Sequence, residues 1–275
     1  MSFYISLSGL KGAQNDLTTI SNNIANANTI GFKKSEAQFS DLFSAYPTRS
    51  TELTTGYGTR LTGVVQQFSQ GTLEATDRTL DLAIAGEGFF MVRGTDPRDE
   101  LSYTRSGSFT VASDGRVVDG TGAALQLLPV DADGAVTSTA LADGYDFVLP
   151  NSDPNDAANA VVNVSIGNDG LVSVTYADGT GDNLGSIGLA TFTSQEHLRP
   201  IGSGHWQSTA DSGTPVVNSA TNGPLGSINS GSLERANVDI TEELVALIAA
   251  QRNFQANAKA IETASNMAQT IFNIN

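Results

Sequence analysis

The chemistry-bearing side chains of this sequence are mostly carboxylates: 29 Asp and Glu stand against 14 Lys and Arg and two His, for a formal charge of −15. Asp131, Asp133, Asp153 and Asp156 bring hard oxygen ligands into one acidic stretch, the donor type that suits calcium. The spacing argues against it, because no D-x-D-x-D-G run with a ligating Glu at position 12 is present, and Asp-Gly hairpin turns account better for these acids. His197, beside Glu196, and His205, beside Trp206, are the two imidazoles. In Gly- and Pro-rich sequence they form no zinc motif and are expected to be surface or packing residues. A pair of acids at glycosidase distance arises by chance among so many carboxylates, so that signal carries no information. No G-x-S-x-G, P-loop or helix-opening G-x-G-x-x-G occurs, and Gly86-Glu87-Gly88 runs directly into Phe89 and Phe90. The chain contains no cysteine, which excludes disulfides, thiolate metal sites and a Cys nucleophile. The expectation is a protein that is not an enzyme, with no catalytic residue, no metal and no cofactor.

The elements explain the composition better than any reaction does. From Phe3 to Ala27 apolar or small residues recur at Leu7, Leu10, Ala13, Leu17, Ile20 and Ile24, a helical spacing with heptad steps from Leu10 onward. The C-terminal end repeats it through Ile240, Leu244, Leu247, Gln251, Phe254, Ala258, Ile261, Ser265, Ala268 and Phe272, with Asp239 and Glu242 as an N-cap signature. Between these arms the period falls to two. Leu80 to Ile84 and Phe90 to Val92 read as a strand, a tight turn and a strand. Further strands are expected at 63–68, 101–111, 116–118, 123–128, 161–166, 171–176 and 186–192, joined by Asp-Gly turns of type I′. Residues 129–160 read as an irregular excursion. All of the net charge lies between residues 36 and 233, together with all eight prolines, so the ends and the middle have different tasks. The acidity disfavours nucleic acid, and with Leu244 to Ala250 the longest apolar run, neither membrane insertion nor a Sec-type leader is expected.

The fold class expected is therefore α+β: a mostly antiparallel β domain flanked by long N- and C-terminal helices that form a coiled-coil-like terminal domain. Residues 1–30 with 238–275 make the helical domain, 31–75 with 226–237 a connecting segment, and 76–225 the β domain, with 129–160 as a small insertion. Two helices paired antiparallel bury one stripe each, which leaves Phe3, Ile5, Ile271 and Phe272 in want of partners from other chains. Self-association follows.

The terminal stretches, SFYISLSGLKGAQNDLTTISNNIANANTIGFKKS (2–35) and LERANVDITEELVALIAAQRNFQANAKAIETASNM (233–267), resemble the axial proteins of the bacterial flagellum, most closely the hook proteins. LDLAIAGEGFFMVR (80–93), SYTRSGSF (102–109) and ATFTSQEHLRPIGSGHWQSTADSG (190–213) resemble the opening and closing parts of that family's β domain. The resemblance implies a structural subunit that polymerises helically into a short curved tube, the flagellar hook, acting outside the cell as a universal joint between motor and filament. It would be exported through the flagellar type III apparatus. The partners so implied are other copies of the chain, the distal rod protein, the hook cap and the hook-filament junction protein. Leu7, Leu10, Ala13, Leu17, Ile20, Ile24, Leu244, Leu247, Phe254, Ala258, Ile261 and Phe272 would build the tube wall, through a contact that does not close. The chain is short for a hook protein, and IGNDGLVSVTYADG (166–179) also resembles distal rod proteins. A distal rod subunit of the same family is therefore the alternative reading, and a secreted β-domain adhesin or carbohydrate-binding protein a remote one.

Overall fold

The protein is described from a computed structural model over residues 2–42, 56–94, 101–150, 152 and 159–274. The chain divides into two units, one formed by Met1–Ala27, Lys33–Gln67 and Val238–Asn275, the other by Asn28–Phe32 and Phe68–Asn237. Helix α1 (Ser2–Ala25) and helix α2 (Ile240–Ile274) form the first unit with a two-stranded antiparallel ribbon, Ser35–Asp41 against Thr59–Gln66. At the start of α2 the Asp239 carboxylate accepts the N–H groups of Thr241 (2.8 Å) and Glu242 (3.2 Å), so the helix is capped as its sequence suggests. Backbone hydrogen bonds from Glu242 and Thr241 hold the Asp239 carboxyl below its ordinary pKa. The ribbon is a departure from expectation: 31–75 reads as a connector with one strand near its end, yet 33–67 belongs to the helical unit. Ser35–Asp41 is mostly exposed and so never displays the apolar alternation that marks a half-buried strand.

In the second unit a thirteen-stranded antiparallel sheet runs in the order Val161–Ile166, Leu171–Tyr176, Gly181–Ile187, Ala124–Leu128, Phe89–Arg93, Leu101–Thr104, His205–Gln207, Arg199–Gly202, with five short strands off this path. Its central strand is buried on both faces. Phe90 and Val92 enter one apolar cluster with Leu125, Leu127 and Phe147, whereas Phe89 and Met91 enter another with Tyr103, Phe192 and Trp206. That two-sided burial is why FFMV is apolar without a break, since successive side chains of a strand point to opposite faces. The Phe89 ring meets Trp206, Phe192 and Phe68 edge-on, the geometry aromatic quadrupoles prefer.

Five hairpin turns use one device. In Gly167–Gly170 the N–H of Gly170 bonds to the Gly167 carbonyl and the N–H of Gly167 to the Leu171 carbonyl; the same pair of bonds closes the turns ending at Gly115, Gly122, Gly134 and Gly179. Each of these glycines has φ between 82° and 87°. These are type I turns with a glycine bulge and not the expected type I′, because the Asp keeps negative φ and bends its carboxylate back onto the backbone. Asp114, Asp169 and Asp178 each accept the N–H of the residue two positions on.

Strand partners differ from the local reading in three places. Leu82–Ala85 pairs with Ser227–Ser230 and not with Phe89–Arg93 across Gly86 and Gly88. The expected strand 101–111 breaks after Thr104, where Gly107 lies against the Leu82 carbonyl with no room for a Cβ. The expected strand 186–192 divides at Gly188, which packs on Met91 and Leu128. The excursion 129–160 returns to the sheet, with Tyr145–Asp146 pairing on Gln126 and Leu127 and Phe147 buried in the core; residues 151 and 153–158 lie outside the described residues.

One charged pair is sealed inside this unit. Arg105 Nη1 stands 3.4 Å from Glu234 Oε2 with both side chains buried, and donates to the Gly86 carbonyl at 3.0 Å. The guanidinium lies over the Phe89 ring, 5.2 Å from its centroid. Glu234 Oε1 takes the N–H of Gly71 at 2.9 Å, while the Glu234 carbonyl takes that of Gly31 at 2.8 Å. Gly31, at φ 68°, abuts the backbone of Arg105 and Ser106, so no side chain fits there. Removing one member of such a pair leaves the other buried and unpaired. Glu234→Ala is expected to cost about 3–5 kcal/mol, measured by urea unfolding followed on the fluorescence of Trp206; a loss below about 1 kcal/mol would show that the pair is dispensable.

Candidate self-assembly site

Two neighbouring segments near the start of the chain and one near its end converge at the capped end of α2. Asn23, in the last turns of α1, bonds through its side-chain oxygen to the N–H of Ser35 (2.9 Å) and through its amide nitrogen to the Ser35 carbonyl (2.9 Å). The same nitrogen reaches Glu243 Oε2 at 3.2 Å. Lys34 Nζ then meets Glu243 Oε1 at 2.7 Å. The Glu243 carboxylate is buried, and the hydrogen bond to it holds the Lys34 ammonium above its ordinary pKa against the opposing cost of burial. Asn23 acts here as a surrogate backbone group, pairing with the start of the ribbon as a neighbouring strand would. The latch is buried, bidentate and closed by a charge-assisted hydrogen bond, the stronger class of polar contact.

This latch sets the rotation of α2. A side chain added at Gly9 would meet Asn257, while Asn23 meets Glu243, so the helices run antiparallel with α1 positions 9 and 23 facing α2 positions 257 and 243. Ala250 is buried at the intervening level, and Ala13 and Ile20 are buried on α1. Leu7, Leu10, Leu17 and Ile24 of α1 and Leu247, Phe254, Ala258 and Ile261 of α2 are half-buried. The inward face of α2 thus runs through 243, 247, 250, 254, 257 and 261. Sequence periodicity puts 244 and 251 in place of 243 and 250, and the structure corrects it by one residue. Leu244 is 45% exposed, and Val245 and Ile248 are 65% and 50% exposed. At the other end Phe3, Tyr4 and Ile5 are exposed as well. Phe272 falls in the last turn of α2, and its side chain lies outside the described residues.

The remaining candidates for chemistry serve the β unit. Ser102 Oγ lies 3.2 Å from His205 Nδ1, and His205 Nε2 lies 2.7 Å from Asp119 Oδ2, a Ser-His-Asp set by composition. All three are buried, and Ser102 Oγ also approaches the Val92 carbonyl at 3.4 Å, so no substrate reaches the serine. The set ties two sheet strands to the turn at Asp119. Burial works to raise the Asp119 pKa, but the bonds from His205 and Thr121 outweigh it and the net direction is down. His197 is exposed and bonds to Ser194 Oγ at 2.8 Å. Asp131 accepts the N–H groups of Asp133 and Ala135 inside a turn, and Asp153 and Asp156 lie outside the described residues. No helix among the described residues is long and apolar enough to cross a membrane.

Comparison with known proteins finds flagellar sequences over most of the chain. The profile "Flagella basal body rod protein" matches residues 3–33, "Flagellar hook protein FlgE/F/G D1 domain" residues 83–174, and "Flagellar basal body rod FlgEFG protein C-terminal" residues 229–274. Flagellar basal-body rod protein FlgG of Bacillus subtilis is 35% identical over 99% of this chain and 98% of its own length. The protein of the same name from Buchnera aphidicola subsp. Schizaphis graminum is 33% identical over 98% of each chain. Flagellar hook protein FlgE of Escherichia coli is 25% identical over all of both chains, in an alignment of 412 positions. Asn23 lies in the first matched segment, Arg105 in the second, and Glu234 and Glu243 in the third.

Two outcomes are expected. Glu243→Ala removes the partner of both Lys34 and Asn23, so the helical unit should lose about 2–3 kcal/mol, read as an earlier loss of far-ultraviolet helix signal on heating. Because the folded-state pKa of Asp119 is depressed, its contribution is present above the unfolded carboxylate value of about 4 and disappears as pH falls through the lower folded value. Urea midpoints taken from pH 6 to pH 2.5 should show this acid limb in the native chain and a shallower one in Asp119→Asn.

Proposed function

The chain belongs to the family of flagellar rod and hook proteins, which are structural subunits and not enzymes, and we propose that it is a subunit of the rod. The observation that carries this reading is length. The FlgG rod relatives align with the whole chain over little more than its own 275 residues, whereas alignment with the hook relative spreads across 412 positions, so a large part of that hook protein has no counterpart here. Among the described residues, the stretch after Leu128 returns to the sheet through Tyr145–Asp146 and delivers Phe147 to the core, which leaves little room for an additional domain there. The curved hook favoured by the sequence motifs thereby gives way to the alternative kept beside it, a straight shaft that transmits torque.

The helical unit supplies the polymer contacts on this reading. Ile240, Leu244, Val245 and Ile248 form an exposed apolar patch on α2, and Phe3, Tyr4 and Ile5 another at the far end of α1. Exposed apolar patches of this kind mark contacts with other chains, and a contact between unlike surfaces that does not close gives a filament. The sequence-derived wall residues divide accordingly: Ala13, Ile20, Leu247 and Phe254 hold the subunit together, and Leu244 is presented to its neighbours.

Electron microscopy of polymers grown from the purified chain tests the assignment. Straight tubes are expected; uniformly curved ones would return the protein to the hook. Leu244→Asp, an exposed substitution that changes folding stability by no more than about 0.5 kcal/mol, is expected to abolish sedimenting polymer while leaving the helix signal and the unfolding midpoint intact.

A further inference from the structure

A groove of about 350 Å³ opens beside α1, lined by Gly9, Gly12, Ala13, Phe39, Asn253 and Asp16 among others. Gly9 and Gly12 keep its floor low, since side chains there would collide with Asn257 or touch Thr59 and Phe39. The lining is mainly apolar, and its charged member is Asp16. That carboxylate is half-buried and has no hydrogen bond or ion pair among the described residues. Burial foremost, and then the like charges of Glu243 and Glu36, push its pKa upward. A half-buried acid among acids is an unfavourable arrangement for an isolated subunit.

The matching surface lies on the same molecule. Lys11, Arg60 and Arg252 are the exposed cations of the helical unit that have no ion pair among the described residues. Arg252 differs from the other two in its setting: Ile248 and Val245 stand four and seven residues before it on one helical stripe, both half or more exposed. That stripe offers apolar surface followed by a planar cation, the complement of an apolar groove with a carboxylate in it.

We propose that the occupant of the Asp16 groove is a second copy of this chain, which docks the Val245–Ile248–Arg252 stripe of its α2 there and pairs the Arg252 guanidinium with the Asp16 carboxylate. The proposal rests on the reading of the chain as a self-assembling subunit and specifies one of its contacts. Groove and stripe are different surfaces, so the contact is heterologous and leaves each subunit with a free groove and a free stripe. Assembly supplies the cation that the isolated groove lacks. Arg suits the position better than Lys, because its fork takes a carboxylate through two parallel hydrogen bonds and is less strongly hydrated.

Charge exchange between chains tests this. Asp16→Arg and Arg252→Asp, each made in the full chain and checked by circular dichroism for folding, should each raise the critical concentration for polymerisation by at least about tenfold, the factor that a modest loss of binding energy gives. Mixed in equal amounts, the two variants should co-assemble, because every contact in an alternating polymer then joins opposite charges. An ion pair within one chain would not be repaired by mixing. The milder Asp16→Asn covers a failure of Asp16→Arg to fold, and should raise the critical concentration while leaving the unfolding midpoint unchanged or higher. Variants that polymerise like the native chain, or folded variants whose mixture stays unassembled, would overturn the contact while leaving the axial-subunit reading in place. A native chain that forms no polymer under any salting-out condition would overturn that reading itself.

Discussion

The placement of one carboxylate governs the helical unit. Glu243 is buried in the first turn of α2, and a buried charge left unpaired costs several kcal/mol, so the helix must present it to Lys34 and Asn23. That requirement turns Leu244, Val245 and Ile248 toward solvent. Full burial of such a side chain is worth about 1.5–3 kcal/mol, and each is only partly exposed, so their combined penalty is of the same order as the latch. Within one chain the polar constraint prevails. On the proposed self-assembly the apolar surface it displaces is recovered by contact with other chains, which would link the fold of the subunit to its assembly.

The β unit solves a similar problem differently. Arg105 and Glu234 share one buried site, and Glu234 also receives the N–H groups of Gly71 and Gly31, so segments from the start, the middle and the end of the unit meet around a single ion pair. Gly31 is required there because its backbone approaches that of Arg105 and Ser106 without room for a side chain. Buried ion pairs of this kind add little net stability over a well-packed apolar pair, while breaking one is expensive. Their effect is to exclude other registers: a slip of the Ser232–Glu234 strand by one residue would put Glu234 on the opposite face and leave Arg105 unpaired in the core.

Much of this was legible from residue order. Heptad spacing located both long helices to within a few residues, and alternation with Asp-Gly punctuation located 124–128, 161–166 and 171–176 almost to the residue. The ribbon strand 35–41 escaped because it is largely exposed and carries no alternation, and 82–85 was given the wrong partner because adjacency in sequence suggests a hairpin that the pairing with 227–230 replaces. The terminal motifs point to the family and lean toward the hook, whereas the whole-length alignments favour the rod relatives.

The sequence by itself determined what depends on neighbours within a turn or a pleat: helix and strand periods, the N-cap at Asp239, the places of the Asp-Gly turns though not their type, the absence of thiol chemistry and an acidic middle. Only the tertiary structure decided which side of α2 faces inward, which strands pair, and that Asn23, Lys34 and Glu243 form one site. Each of those outcomes rests on a contact between residues as many as 220 positions apart, as between Asn23 and Glu243. The two overlapping heptad series of α2 differ at 243/244, 250/251 and 257/258, and local pattern favours Leu244 and Ala258 over Glu243 and Asn257, so it points to the series that the fold does not turn inward. The cost of an unpaired buried charge chooses, and that cost exists only once the chain has folded around it.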